Sequence, residues 1–277
     1  DVTTKKLNSW KKIGINRLSL GVQTFNDNLL KQLNRIHTSK DAIKSINKIK
    51  NTFNNYSIDL MFGTPNSSGD SIKYDLSILK ELSPPHVSIY NMTLEKRTVF
   101  YNLLKKKKIS LPSESSVLDQ YDLILNELEI FGYENYEISN FAKKNFHSQH
   151  NSNYWNNKEY IGFGPSAHSY DKTFRYWNIS DNKKYIELID KEKKVYEKEE
   201  LSRTEKINEY ILTRIRTKKG VNQNELLESF NVNLLKEREK ELKLFKNEKL
   251  VKIEKNIISL TNEGKKLCDY ITEKITY

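Results

Sequence analysis

Apolar residues fall into two kinds of run along the first 130 or so residues. Some recur every three or four positions. Leu7, Trp10 and Ile13 do so ahead of Gly14 and predict a helix over 3–14. Other runs are continuous. NRLSLGV predicts a buried strand over 16–22, YSIDLMFG a second over 56–63 and HVSIYNMT a third over 86–93. Helical spacing returns between them. One helix starts at about Asp27 and carries Leu29, Leu30 and Leu33; another, over 41–53, lines up Ala42, Ile43, Ile46 and Ile49 on one face. A third covers 71–82 and is broken by Pro84-Pro85, and Gly63-Thr64-Pro65 marks the turn after the second strand. Strands alternating with helices, each strand a continuous apolar run, predict βα units and a parallel sheet.

Further along, the basic stretch LEKRTVFYNLLKKKKISLP reads as a connection with its lysines in solvent. An amphipathic helix is expected over 116–131, ended by Gly132, and a strand over 136–141. From Ser202 the pattern changes. Helices are expected over 205–216, 222–229 and 234–245, then an alternating hairpin, LVKIEKNIISLT, turning at 254–256, then a helix over 264–275. Three helices and a β-wing are the plan of a winged-helix domain. The organisation read from the chain is therefore an α/β part over 1–180, a linker over 181–200 and a small winged-helix-like α+β domain over 201–277.

Composition narrows the function classes. A length of 277 residues accommodates one large domain and a small one. The net charge is +11, yet acidic and basic residues are interleaved throughout. Most lysines read as a solvated face. The candidate recognition helix of the winged-helix part, LLKEREKELKLF, alternates acid and base, which disfavours a phosphate-facing surface. A DNA-binding regulator is thus the weaker reading, and no nucleic-acid partner is expected. No run of about 18 apolar residues is present, and DVTTKKLNSWKK lacks the apolar core of a secretion signal. A cytoplasmic protein is expected. The chain does not open on methionine, so a longer protein is expected to continue upstream. A lone cysteine, Cys268, excludes an internal disulfide and a multi-cysteine metal or cluster site within this sequence.

Candidate chemistry gathers in two places. In parallel α/β sheets, ligands bind at the C-terminal edge of the strands. Gln23, Asp59 and Thr93 fall at or near such ends, with Arg35 and His37 in the loop after the first. Asp59, inside an apolar strand, either accepts hydrogen bonds in a core or holds a polar ligand. The second place is the stretch 133–169, which holds His147, His150 and His168 of the chain's five histidines among many aromatic rings. Such a segment packs against its own core or against a flat ligand. The spacing of His147 and His150 is compatible with zinc only if further ligands join, and no nearby pattern supplies them.

Seven pieces of sequence occur in a familiar order: NRLSLGVQTF, LNRIHTSKDA, IDLMFGTP, HVSIYNMTLE, GYENYEISNFA, HNSNYW and YIGFGPSAHS. Together they resemble the radical S-adenosylmethionine (radical SAM) proteins related to oxygen-independent coproporphyrinogen III oxidase. GYENYEISNFA and HNSNYW are similar to the HemW heme-chaperone branch rather than to the oxidase. The resemblance spans the chain. It implies the C-terminal part of a partial (β/α) barrel followed by the winged-helix-like domain, with S-adenosylmethionine bound at the strand ends. Carried over residue by residue, it implies contacts to that cofactor from Gln23 of GVQTF, Arg35 of NRIH and Asp59 of IDLMFG, with Thr93 of SIYNMT and His168 of PSAHS as further contacts. A carboxylate, an amide and a guanidinium suit a sulfonium with an amino-acid end.

For HNSNYW the resemblance implies heme. His150 is the candidate axial ligand, with His147 as the alternative. Asn151 is placed to orient the imidazole, and Tyr154 and Trp155 to flank the porphyrin. The competing reading makes His150 a hydrogen-bonded turn residue and the two aromatics ordinary core. The implied activity is binding heme and delivering it to acceptor proteins, membrane-associated respiratory ones among them, with a homodimer as the implied assembly. The alternative is the oxidase of porphyrin biosynthesis, an enzyme. The family's CxxxCxxC cysteines, its GGGTP segment and the acidic residue of the following strand are absent. At roughly 30 residues per βα unit, about 90 residues carrying them are expected upstream. This stretch alone is therefore not expected to hold a [4Fe-4S] cluster or to perform oxidase chemistry. A second departure is TPNSSGDS, which stands where the family has a glycine-containing turn.

Overall fold

The computed structural model describes residues 2–96 and 98–277, with Val99 as backbone alone; Arg97 of the basic stretch lies outside the described residues. The chain forms two compact units, Asp1–His147 and Ser148–Tyr277. No helix among the described residues is long and apolar enough to cross a membrane.

The first unit runs α1 (Thr4–Lys12), β1 (Leu18–Gln23), α2 (Asp27–Gln32), α3 (Ser39–Lys50), β2 (Tyr56–Phe62), α4 (Gly69–Leu82), β3 (His86–Asn91), α5 (Val99–Lys105), α6 (Glu114–Ile130), β4 (Glu134–Glu137) and β5 (Asn140–Ala142). Local chemistry sets the helix starts. Thr38 and Asp41 form a reciprocal capping box on α3, and Ser68 and Ser71 do so on α4. A cap of this kind stabilises its helix by about 1 kcal/mol. β1, β2 and β3 pair in parallel, as their order in the chain predicts.

Two expectations give way here. Residues 136–141 are not one strand but the end of β4, a reversal at 138–139 and the start of β5 in an antiparallel hairpin, whose strand β5 pairs with β3, so the sheet is mixed, in the order β1-β2-β3-β5-β4. The reversal is made by side chains. Glu137 accepts from the Ser139 amide at 3.0 Å and from the Asn140 side chain, and the Asn135 side chain donates to the Glu137 carbonyl at 2.6 Å. The basic stretch, expected as a connection, contains α5, capped by Thr98.

The strands also differ from their expected character. They alternate, with period two. Ile58, Leu60, Phe62, Val87 and Ile89 enter the core with Ile46, Leu79 and Leu128 from the helices. The opposite face carries Ser19, Gly21, Ser57, Asp59, His86 and Ser88, aligned by the register Ser19↔Ser57↔His86 and Gly21↔Asp59↔Ser88. One carboxylate sits on the core side. Asp75 of α4, 3% exposed, accepts from the Phe25 amide at 2.6 Å and from Thr24 Oγ1 at 3.0 Å, and so ties α4 to the loop leaving β1. Burial outweighs these hydrogen bonds and lifts its pKa to about 6.

The second unit begins with α7 (Gln149–Trp155) and an antiparallel sheet of β6 (His168–Tyr170), β7 (Phe174–Asn178) and β8 (Tyr196–Glu200), with α8 (Asn182–Asp190) between β7 and β8. Residues 181–200, expected as a linker, thus carry a helix and a strand. The remainder runs α9 (Arg203–Ile215), β9 (Val221–Asn222), α10 (Gln223–Phe230), α11 (Leu234–Glu237), α12 (Glu239–Asn247), β10 (Val251–Glu254), β11 (Ile257–Leu260), α13 (Asn262–Lys266) and α14 (Cys268–Ile275). This is the winged-helix-like plan, with two helices divided, at Arg238 and Leu267, and β9 added to the wing. The wing turns on Lys255 and Asn256, both left-handed at φ 49° and 64°, as a tight two-residue hairpin requires. Ile211, Leu226, Leu234, Ile258 and Ile271 are fully buried.

Two measurements test this packing. A Cβ at Gly264 would lie 1.9 Å from the Leu250 carbonyl oxygen, backbone that cannot swing away. Gly264→Ala is expected to lower the stability of the second unit by about 1–3 kcal/mol in chemical denaturation, and an unchanged midpoint would contradict that packing. For Asp75, a folded-state pKa raised from 3.8 to about 6 means that the folded form binds the extra proton between those values. Its contribution is complete below pH 4 and lost as pH rises through 6. The wild type is expected to lose up to about 3 kcal/mol relative to Asp75→Asn across that window. Parallel stability curves would show that this carboxyl titrates like an exposed one.

Candidate functional site

The polar face of the first unit is built around Asp59. Its carboxylate accepts from Ser19 Oγ at 2.9 and 2.8 Å, on both oxygens, and from Ser57 Oγ at 3.2 Å. Ser57 Oγ lies 2.8 Å from His86 Nδ1 and 3.3 Å from Ser88 Oγ, and His86 Nε2 lies 2.7 Å from the Tyr136 hydroxyl. Beyond it, the Tyr136 ring stacks on His147 at 4.3 Å between centroids, and His147 Nε2 meets Glu134 at 3.0 Å. His86 is fully buried. Burial, with the positive charge of Arg17 and then of His147 nearby, pushes its pKa down to about 3, so its imidazole is neutral.

Gln23 ends β1 at a bulge in the β1–β2 register, with φ 72°. The left-handed region is costly for a residue with a side chain, and such strain concentrates at functional positions. The Gln23 side-chain amide takes no hydrogen bond among the described residues. It folds back over Gly21, where a Cβ would come within 2.8 Å of Gln23 Nε2. The segment is held by Asp75 at Thr24 and Phe25 and by His37, whose Nε2 donates to the Val22 carbonyl at 3.2 Å. The loop after β2, TPNSSG, is pinned likewise. Gln120 of α6, fully buried, accepts from the Gly63 amide at 3.1 Å and from Ser67 Oγ at 3.2 Å.

Of the expected cofactor contacts, Gln23 lies at the C-terminal edge of the sheet, Thr93 two residues past the end of β3, and Asp59 within β2, level with Gly21 and Ser88. Arg35 is exposed in the α2–α3 connection, its guanidinium without an ion pair among the described residues. His168 belongs to the second unit, on β6 opposite Trp177. The first-unit residues fit a ligand with a sulfonium and an amino-acid end: a carboxylate oriented by hydroxyl donors, an uncommitted amide and an uncommitted guanidinium.

HNSNYW folds as α7, capped by Ser148. His150 is exposed and its ring nitrogens make no hydrogen bond among the described residues; the ring meets Tyr154 edge-on at 4.9 Å. Tyr154 in turn meets Tyr160 at 4.7 Å. Trp155 lies on another side of the helix, with the Arg216 guanidinium 5.9 Å from its ring, and its Nε1 is buried without an acceptor among the described residues. The Asn151 side chain makes no hydrogen bond to His150; its backbone amide donates to the Ser148 cap. His147, the alternative ligand, falls in the first unit and is engaged by Glu134 and Tyr136. In the loop after Tyr160, Ile161 and Phe163 are 75% and 88% exposed, although the loop is held by Ser169, Asn178 and Tyr185. An uncommitted imidazole beside an aromatic ring suits a flat, apolar, metal-bearing ligand.

Sequence reasoning missed Ser19, Ser57, His86, Ser88 and Tyr136. The signal was there in S-I-D and H-V-S, where the polar residues Ser57 and Asp59, and His86 and Ser88, stand two apart around an apolar one.

Comparison with known proteins bears on the family and the fold. Residues 1–77 match the radical SAM superfamily and residues 201–267 the HemN C-terminal domain. The heme chaperone HemW of Bacillus subtilis (strain 168) is 35% identical over 269 residues, covering 96% of this chain and 71% of its own. The heme chaperone HemW of Lactococcus lactis subsp. lactis (strain IL1403) is 36% identical over 261 residues, 94% of this chain and 69% of its own. Among solved structures, coproporphyrinogen III oxidase (HemN) from Escherichia coli, described as a radical SAM enzyme, superposes with a TM-score of 0.81 over 100% of this chain and 67% of that one. At 20% identity it speaks for the fold alone. With these relatives matched over nearly its whole length, the chain belongs to the HemW heme-chaperone family of radical SAM proteins.

Proposed function

We propose that this chain binds heme through His150 of α7 and hands it to acceptor proteins, and that the polar face around Asp59 binds S-adenosylmethionine. The observation that carries the heme reading is the state of His150. A histidine serving only the fold has its nitrogens satisfied; this one is exposed, uncommitted and flanked by Tyr154. Neutral imidazole is a good ligand for iron, and an aromatic edge offers the porphyrin an apolar contact. Tyr154 flanks the ligand in this reading. Trp155 anchors α7, and Asn151 sits beside His150 without orienting it through a bond of its own.

S-adenosylmethionine supplies a sulfonium and an amino-acid end, for which Asp59, Gln23 and Arg35 offer a carboxylate, an amide and a guanidinium. Thr93 is proposed as a further contact. A [4Fe-4S] cluster requires ligands that Cys268 alone does not supply, and Cys268 is buried in α14. In this reading the barrel part with its heme-motif extension occupies 1–180 and the winged-helix-like part 201–277, joined by 181–200, which is itself folded. The second part has a structural role.

The test is a hemin titration followed by absorption, with His150→Ala and Tyr154→Ala beside the wild type. Saturable one-to-one binding is expected in the wild type. His150→Ala is expected to shift the Soret band and to weaken binding by about tenfold or more, and Tyr154→Ala to weaken it by a few-fold without the shift. Identical Soret positions and affinities for wild type and His150→Ala would remove His150 from the site.

A further inference from the structure

We propose that His86 is a positioning residue for Asp59: its buried imidazole acts through Ser57 to fix the orientation of the Asp59 carboxylate toward a ligand. The inference rests on the reading of Asp59 as a ligand contact, and it adds residues on β2, β3 and β4 to that site.

The donors and acceptors around Ser57 fix the direction of each bond. Ser57 Oγ has a single proton and three polar neighbours: Asp59 Oδ1, His86 Nδ1 and Ser88 Oγ. An ionised carboxylate only accepts, so the Ser57 proton goes to Asp59. Ser57 must then accept from His86 at 2.8 Å, which places the imidazole proton on Nδ1. Nε2 is left bare and accepts from the Tyr136 hydroxyl at 2.7 Å. The ring is neutral throughout the ordinary pH range, so the direction does not reverse. A wire therefore runs from Tyr136 to His86 to Ser57 to Asp59, every bond pointing at the carboxylate. Bonds aligned in this way polarise one another. Ser19 bridges both Asp59 oxygens, and Ser57 adds a second donor to Oδ1 alone. Oδ2 is left as the less occupied oxygen, and it is the one offered to a cationic ligand. The opposite tautomer would turn the Ser57 proton to His86 and leave Asp59 held only by Ser19.

Two measurements on the whole chain decide the matter. The first is a long-range 1H–15N correlation of the His86 ring between pH 5 and 8, which needs no variant. A protonated Nδ1 and a bare Nε2, unchanged across that range, are expected; a protonated Nε2 overturns the wire. The second is calorimetric titration with S-adenosylmethionine of wild type, Asp59→Asn, His86→Gln and His86→Leu, each checked for fold by circular dichroism. His86→Leu is expected to weaken binding about tenfold, and His86→Gln, which keeps a donor and an acceptor, to stay within about threefold. If Asp59→Asn weakens binding and His86→Leu does not, the positioning role is wrong and the ligand reading stands. If Asp59→Asn binds like the wild type, or the wild type does not bind, the ligand reading is wrong and the proposal goes with it.

Discussion

A β-strand shows alternate side chains to opposite faces, and in the first unit this one constraint divides burial from chemistry. The core face takes Ile58, Leu60, Phe62, Val87 and Ile89. The other face receives Ser57, Asp59, His86 and Ser88 from the same strands. Polar groups taken from water there must find partners, since a buried donor or acceptor left unmet costs about 1–3 kcal/mol. Ser57 and His86, both fully buried, meet that demand through one another and through Tyr136. The residues that keep the polar face stable are thus the same ones that orient its carboxylate.

Much of the fold was legible because helices announce themselves by spacing and parallel strands by their order among helices. The start of α3 at Thr38 and the turn of the wing at Lys255-Asn256 follow from local chemistry that any reader of the sequence can find. Other features depended on partners far away. The β4–β5 reversal has neither glycine nor proline; Asn135, Glu137 and Asn140 make it. β8 reads YEKEE and is exposed at all five positions, so no apolar pattern marks it as a strand. Asp59 and Gln23 could be singled out from their places near strand ends. His86 could not, because its meaning lies in contacts with residues 29 and 50 positions away, which only the strand register brings together.

The second unit shows the same division of labour on a smaller scale. A helix of seven residues is too short to persist by itself in water, so α7 needs anchors. Ser148 caps it, and Trp155 meets the guanidinium of Arg216. Positions 150 and 154 are one turn apart and share a face, whereas 155 is turned well away from it. The spacing within HNSNYW thereby separates an anchoring ring from a presented imidazole and its flanking tyrosine.

The C-terminal edge of the parallel strands is rigid for a related reason. Each of the first two loops leaving it is fastened by one buried polar side chain reaching from a helix behind the sheet: Asp75 of α4 holds the loop after β1, and Gln120 of α6 the loop after β2. The first loop carries Gln23 in a left-handed conformation that costs about 1–3 kcal/mol, and such a conformation persists only where its surroundings leave no alternative. Asp75 and His37 supply that compulsion. A loop already ordered loses little freedom when a ligand arrives, so more of the contact energy is available for affinity. The strain at Gln23 and the buried contacts of His86 then express one principle: the edge and face of this sheet are held in place by polar groups that lie behind them.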